Sequence, residues 1–326
     1  MCTRILWNDN SLGVFVGRTM DWPDSTQPRL YVLPRGLRRD GGALGAQRVV
    51  SEAESFRWTS KYGSVVSSAY DMGAADGMNE RGLGVHMLYF TSCDFGARTG
   101  KRPAVNAALW LQLWLDLAAD VQEALALLDS VEIVSVKALG VESPVHVAVE
   151  DARGDSAIIE FVAGERKVYH GRKYVVMTND PPYDEHLAFL GKQDFTNATR
   201  ETALPGNVSS RDRFVRAAYY CKALPEPTDA RQAVAFVMAI ARNVSVPFGA
   251  PYKEPGSVYN TEYRTVLDLE NRRYFFELTT NPSLIWLELG RFDLSPEAPV
   301  MSLDPRDAHL AGDVSERFSV VPKSPF

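Results

Sequence analysis

The strand-like segments of this chain come in consecutive groups and do not alternate one for one with helices. Parallel strands need a crossover of a dozen or more residues, usually a helix, whereas antiparallel neighbours need only a turn. Residues 3–8 and 13–18 are strand-like and are separated by the turn formers Asn8, Asp9, Asn10, Ser11 and Gly13, which is a hairpin signal. "RLYVLPRG" reads as a strand ending at Pro34, and 36–57 as a surface loop. "YGSVVSSAY" and "GLGVHMLYF" read as strands around the turn-rich "DMGAADGMNE". Residues 144–179 read as a meander of four short strands, with turns at 152–155, 164–166 and 171–173. "YRTVLDLENRRYFFELT" is a hairpin about Glu270 and Asn271, and "SLIWLEL" a last strand.

Helical spacing is confined to a few places. Leu109, Leu113, Leu117, Val121, Leu125 and Leu128 predict a helix over roughly 104–129. "RDRFVRAAYYCKAL" predicts a second, and "TDARQAVAFVMAIARNV" a third, capped by Thr228 or Asp229. No repeat or low-complexity linker divides the chain. The expectation is a single α+β domain over 1–326, largely antiparallel, with helices segregated onto its faces. The Pro- and Ser-rich tail, 295–326, is expected to pack loosely.

Charge and composition narrow the function. Basic residues number 35 and acidic residues 41, a net charge of −6, which favours neither nucleic acid nor an anionic membrane surface. No stretch approaches the length of a membrane span, and the opening lacks the basic and apolar regions of a secretion signal. The chain as written reads as cytoplasmic, or as periplasmic if a leader has been removed. Cysteine occurs only as Cys2, Cys93 and Cys221, too few for a disulfide framework; Cys93 and Cys221 read as free thiols. With no CxxC or HExxH spacing, neither a metal nor a cofactor is expected.

Cys2 raises the chemical question. A hairpin centred near Asn10 pairs residues whose numbers sum to about 20, which sets Cys2 opposite Arg18 on one face. A guanidinium beside a thiol favours the thiolate. Asp21 follows just before Pro23, and no histidine is obviously placed to act as base. Removal of Met1 would expose an α-amine with an ordinary pKa of about 7.7–8.0, close to the working pH of a general base. One residue would then carry nucleophile and base together. Two other readings stand beside this one. Arg18 and Asp21 also suit a surface ion pair, and a one-residue slip would turn Arg18 to the other face.

The segments "MCTR…GRTMDW", "DGMNERGLGVHMLYF", "YVVMTNDPPYDEHL", "LPGNVSSRDRFVRAAYY" and "YRTVLDLENRRYFFE" together resemble the choloylglycine hydrolase family, which includes penicillin V acylases and bile salt hydrolases. The resemblance implies a four-layer αββα sandwich, the N-terminal-nucleophile hydrolase fold, and hydrolysis of linear amide C–N bonds. By this resemblance Cys2 matches the nucleophile, Arg18 the arginine near its sulfur, and Asp21 the aspartate bonded to the α-amine. Asn179 matches the side-chain oxyanion donor, Tyr89 the backbone oxyanion donor, and Arg213 the arginine supporting the network. Tyr89 stands where many bile salt hydrolases have Asn. Read locally, Asn179 also suits a turn before Asp180–Pro181, Arg213 a helix surface, and Tyr89 a strand core; His86 reads as an alternation-bound strand residue with no catalytic role.

The "MDW", "WTSKYGSVV" and "RNVSVPFG" segments resemble the Gram-negative branch, similar to enzymes acting on penicillin V and on long-chain N-acyl homoserine lactones. Conjugated bile salts are the alternative substrate class, and a non-catalytic acyl-ligand-binding relative the alternative of another kind. Met20, Trp22, Met87, Tyr89 and Phe90 are candidates for an apolar acyl pocket, and each also fits plain core. The expected partner is a small N-acyl amide, and the resemblance implies a homotetramer.

Overall fold

The computed structural model describes residues 1–326 apart from 139, 140, 143, 253, 254, 282 and 323. Two large sheets dominate it. Strand β1 (Cys2–Trp7) lies between Val176–Met177 and β2 (Phe15–Trp22), and the sheet continues through Val258–Asp268, Arg273–Leu278, Leu284–Glu288 and Gly312–Asp313. The second sheet runs in the order Glu165–His170, Ser156–Val162, Val145–Glu150, Gly84–Tyr89, Gly73–Asn79, Ser64–Ala69, Leu30–Leu33, Met301–Leu303 and Ser319–Val320. Helices α4 (Ser210–Ala223) and α5 (Ala230–Asn243) cover the first sheet; α1 (Ala107–Leu117) and α2 (Val121–Ser130) cover the second. The expected αββα sandwich is therefore the observed α+β architecture.

Both faces of each sheet are buried, so alternation decides which layer a side chain enters. On β1 and β2 the odd positions face the helices and the even positions face the other sheet. Gly17 marks the helix side: a Cβ there would lie 2.7 Å from Val237 Cγ1 of α5. The bare backbone lets α5 lie close on the sheet. One apolar cluster, including Ile5, Phe15, Leu88, Val237 and Val266, runs from the sheet interface to α4 and α5. A second, including Val66, Val85, Trp110, Trp114 and Val147, lies under α1 and α2.

The opening hairpin differs from expectation by two residues. Cys2 pairs with Met20 and Arg4 with Arg18, so paired numbers sum to 22. The turn reaches further because Asn10 closes it twice, accepting from the Leu12 N–H at 2.9 Å and donating to the Gly13 carbonyl at 3.1 Å. Gly13 takes a positive φ of 136°, a conformation suited to glycine. A two-residue shift keeps every side chain on its face.

Other elements depart more. The helix expected over 104–129 is divided: Ala104–Asn106 is a strand, Ala118 is extended, and Asp120 caps α2 by accepting from the Glu123 N–H. The meander holds three strands, because its fourth, Val176–Met177, crosses to pair with β1 in the other sheet. Short strand pairs, Arg38–Asp40 with Arg57–Thr59 and Ala43–Leu44 with Gln47–Arg48, build much of the expected loop at 36–57. The tail is not loose. Met301–Leu303 joins the second sheet beside Leu30–Leu33, and Val300, Leu303, Leu310, Val314 and Phe318 are buried. Burial of these apolar side chains outweighs the composition that suggested a free end. Helices α4 and α5 stand where the periodicity put them, α5 capped by Asp229.

Replacing Gly17 by Ala forces a side chain into the space of Val237 and is expected to destabilise the fold by about 1–3 kcal/mol. Urea unfolding measures the loss, and Val237→Ala added to Gly17→Ala should cost less than the sum of the two single changes.

Candidate active site

The free end of β1 brings together residues from four parts of the chain. Cys2 is an even residue, so its thiol enters the space between the sheets. There Arg18 Nη2 lies 3.5 Å from Cys2 Sγ and Met20 Sδ lies 3.6 Å from it. Arg18 also donates to the Met87 carbonyl at 3.1 Å, and its Nη1 lies 3.4 Å from Asp76 Oδ1. Burial alone would lower the Arg18 guanidinium, but Tyr263, Cys2 and Asp76 outweigh it and hold it above its ordinary value. The sulfur thus faces a permanent cation. The buried charge continues inward: Arg4 donates from Nε to Glu150 at 3.1 Å, and His86 Nε2 lies 2.7 Å from Glu150 Oε1.

The main chain of Cys2 is held on the other side. Its N–H donates to Asn179 Oδ1 at 2.6 Å, and its carbonyl accepts from Arg213 Nη1 at 2.6 Å. Arg213 also donates to Asn179 Oδ1 at 3.0 Å, to the Val208 carbonyl at 3.0 Å and to the Thr3 hydroxyl. It is buried, not on the helix surface. Asp21 Oδ2 lies 3.4 Å from Arg213 Nη1, and Asp21 Oδ1 accepts from the Thr261 hydroxyl at 2.6 Å. A β-bulge between Met20 and Asp21 sets this pair: Met20 is opposite Tyr263 but Asp21 is opposite Thr261.

Asn179 follows directly on the short strand Val176–Met177 and Thr178, which fixes it beside Cys2. One Nδ2 hydrogen goes to the Tyr89 carbonyl at 2.6 Å, and an amide nitrogen carries a second. His186 of α3 (Tyr183–Leu190) holds the Asn179 main chain, with Nε2 2.9 Å from its carbonyl oxygen. Burial lowers the His186 imidazole to about 4, although this hydrogen bond opposes the shift. A neutral ring is a donor on one nitrogen, which suits the carbonyl.

With Met1 in place, its amine donates to the Asp21 carbonyl, and burial lowers that amine below its ordinary value. The Asp21 carboxylate, expected beside an amine, is here engaged by Thr261 and Arg213. Of the apolar candidates, Met20 touches the sulfur, and Trp22 packs edge-on against Tyr89 with centroids 5.3 Å apart. Met87 and Phe90 are not brought to the sulfur. Alternation sends the Met87 side chain to the cluster under α1 and α2. Phe90 is fully buried and stacked on His146 at 4.6 Å, which makes it core.

Sequence reasoning missed Thr3, Asp76, Thr261, Tyr263 and His186. A partial signal existed: Tyr259, Thr261, Tyr263 and Thr265 repeat every second residue, and all are buried although each carries a hydroxyl. Cys93 and Cys221 stand apart from the site; burial pushes both thiols up to about 12, and Cys221 donates to the Leu6 carbonyl at 3.1 Å.

The αββα sandwich, two antiparallel sheets between helix layers, is the fold of the N-terminal-nucleophile hydrolases. A model of the linear amide C–N hydrolases, choloylglycine hydrolase family, matches residues 2–304, and the chain belongs to that family. It is 33 % identical to a penicillin V acylase of Pectobacterium atrosepticum, over 100 % of this chain and 91 % of that protein. The structure of a penicillin V acylase from Agrobacterium tumefaciens superposes with a TM-score of 0.87 at 36 % identity, covering 99 % of this chain and 98 % of the other. A bile salt hydrolase/transferase of Bifidobacterium longum subsp. longum is 25 % identical over 90 % of this chain and 97 % of its own length. The protein is an amide hydrolase.

The lowered His186 makes stability depend on pH. The unfolded imidazole, near 6.5, takes up its proton before the native one, near 4. This contribution is complete above pH 6.5 and is lost as the pH falls towards 4. From pH 7 to pH 5 it removes about 2 kcal/mol. Urea unfolding at the two values should show this loss in the parent, and His186→Gln should lack that share of the pH dependence.

Proposed function

We propose that Cys2, freed of Met1, is the N-terminal nucleophile of an acylase that cleaves penicillin V and long-chain N-acyl homoserine lactones. The observation that carries the reading is the double hold on one residue. Cys2 Sγ lies 3.5 Å from the Arg18 guanidinium, while Cys2 N lies 2.6 Å from Asn179 Oδ1.

The chemistry follows from these placements. The sulfur attacks the amide carbon, and the thiol proton passes to the α-amine. The developing oxyanion takes the second Nδ2–H of Asn179 and the Tyr89 N–H; one such donor is typically worth about 3–4 kcal/mol. The C–N bond breaks as the α-ammonium gives its proton to the leaving nitrogen, and a thioester on Cys2 remains. Water, deprotonated by the same amine, attacks the thioester; the C–S bond breaks, and acid and thiol are regenerated. Arg18 favours the thiolate, and Arg213 with Asp21 keeps the Cys2 backbone in register.

The substrate reading draws on the penicillin V acylases of 33 % and 36 % identity, against 25 % for the bile salt enzyme. Tyr89 and Trp22, edge to face, offer an aromatic wall for a phenoxy or fatty acyl group.

Intact-mass measurement should show loss of Met1, with one rapidly alkylated thiol that is absent from Cys2→Ala. That variant should lose turnover of penicillin V and bind it still, and Asn179→Ala should lower kcat by roughly 10²–10³-fold. An active enzyme that retains Met1 contradicts the mechanism. Cleavage of taurine- or glycine-conjugated bile salts in place of penicillin V and acyl homoserine lactones contradicts the substrate reading.

A further inference from the structure

The two oxyanion donors named above stand on different sheets. Asn179 follows Val176–Met177 at the edge of the first sheet, and Tyr89 ends the strand Gly84–Tyr89 inside the second. These strands are not neighbours, so the spacing of the donors depends on what ties the two chain segments together. One tie is the bond from Asn179 Nδ2 to the Tyr89 carbonyl at 2.6 Å. The residue after Asn179 supplies another.

Beyond Tyr89 the chain turns at once. The Cys93 N–H donates to the Phe90 carbonyl at 3.0 Å, which closes a turn with Thr91 and Ser92 at its centre. Both central N–H groups go to the Asp180 carboxylate, that of Thr91 to Oδ2 at 2.8 Å and that of Ser92 to Oδ1 at 2.9 Å. The Ser92 hydroxyl adds a third bond, to Oδ1 at 2.7 Å. Burial alone would raise the Asp180 carboxyl, but the bonds from Ser92 and Thr91 outweigh it and hold it below its ordinary value. Two donors on two oxygens of one carboxylate fix direction as well as distance.

Each end of this clamp is itself fixed. On the Asp180 side, His186 holds the Asn179 carbonyl, and Ser210 of α4 donates to the Thr178 hydroxyl at 2.9 Å. On the other side, the Phe90 N–H donates to the Pro144 carbonyl at 2.9 Å, and the Phe90 ring stacks on His146. We propose that Asp180 is a positioning residue of the oxyanion hole, whose carboxylate sets the distance between the Asn179 amide and the Tyr89 main chain. This rests on the function proposed above, which makes those two groups the donors. Asp180 is not itself a catalytic residue, since its oxygens are engaged by Thr91 and Ser92.

The clamp matters because oxyanion donors act only within hydrogen-bond reach of the place the charged oxygen will occupy. A displacement of about 1 Å at a reacting centre costs roughly 10²-fold in rate. The charge that these donors meet develops only in the transition state, so a loosened clamp slows the chemical step and spares binding. It spares the sulfur as well, which Arg18 and Met20 hold from other directions.

The test uses the mature full-length enzyme hydrolysing penicillin V. Asp180→Asn keeps the side-chain shape but sets an amide nitrogen against a main-chain N–H, which breaks one arm of the clamp. It should lower kcat by about 10–100-fold with KM within about twofold. Alkylation of Cys2 by iodoacetamide forms no oxyanion and should keep the parental rate. In an Asn179→Ala background one donor is already gone, and Asp180→Asn should cost less there than in the parent. Ser92→Ala removes the third bond and should show the same pattern at a few-fold. The proposal is overturned if folded Asp180→Asn keeps parental kcat, if alkylation slows in step with kcat, or if the losses from Asn179→Ala and Asp180→Asn simply multiply. Where Asp180→Asn does not fold, parental kcat in Ser92→Ala overturns it. An Asn179→Ala enzyme with parental kcat would bring down the oxyanion assignment as well. A slow Asn179→Ala beside an unimpaired Asp180→Asn would bring down the clamp alone.

Discussion

Two guanidinium groups are buried at one end of the central hairpin, and the site is arranged around them. A buried cation without a partner is far more costly than the pair is valuable. Arg18 therefore requires Asp76 from the second sheet, and Arg213 of α4 requires Asp21 on β2. These pairs tie three layers to one point. Arg18 joins sheet to sheet across the inner face, while Arg213 joins helix to sheet across the outer face. Cys2 is held by both, its sulfur by the first arginine and its carbonyl by the second. Carboxylates that look remote from the cysteine thus decide where it can sit.

The parts of this plan that were legible in the sequence are those written in local pattern. Turn residues between alternating runs gave the antiparallel grouping, and period-2 alternation gave Cys2 and Arg18 one face despite a register wrong by two. The helical spacing of α4 and α5 was equally local. What failed was non-local. Leu109 to Leu128 keep a helical phase across a real break at Ala118, because the helices on either side present apolar faces to the same sheet. Val176–Met177 follows three meander strands in sequence, yet its partner β1 lies in the other sheet. Nothing in its composition distinguishes those two destinations.

The same division applies to the site. Cys2, Arg18 and Asp21 are close in sequence, so hairpin geometry relates them. Asn179 and Arg213 came from a resemblance and not from spacing. Asp76, Thr261 and His186 are ordinary residues until the sheets stack. Met87 and Phe90, apolar strand residues beside Tyr89, fit either a pocket or plain core in the sequence, and alternation and burial take their side chains into the core. Proximity along a strand is a weak guide when both faces are buried.

The buried histidines bear on how a thiol in this setting can lose its proton. His86 faces Glu150, His146 Nδ1 lies 2.9 Å from Glu160, and His186 is held neutral against the Asn179 carbonyl. Each is fixed by a partner that orients protein and not by the sulfur. The space between the sheets is already filled by paired charges, so a further base there would have to be desolvated without compensation. The end of β1 is different. Under the mechanism proposed above, removal of Met1 would leave an α-amine there, placed by the strand. A base built into the nucleophilic residue would need no additional buried side chain, and its position would be fixed by the same strand pairing that fixes the sulfur.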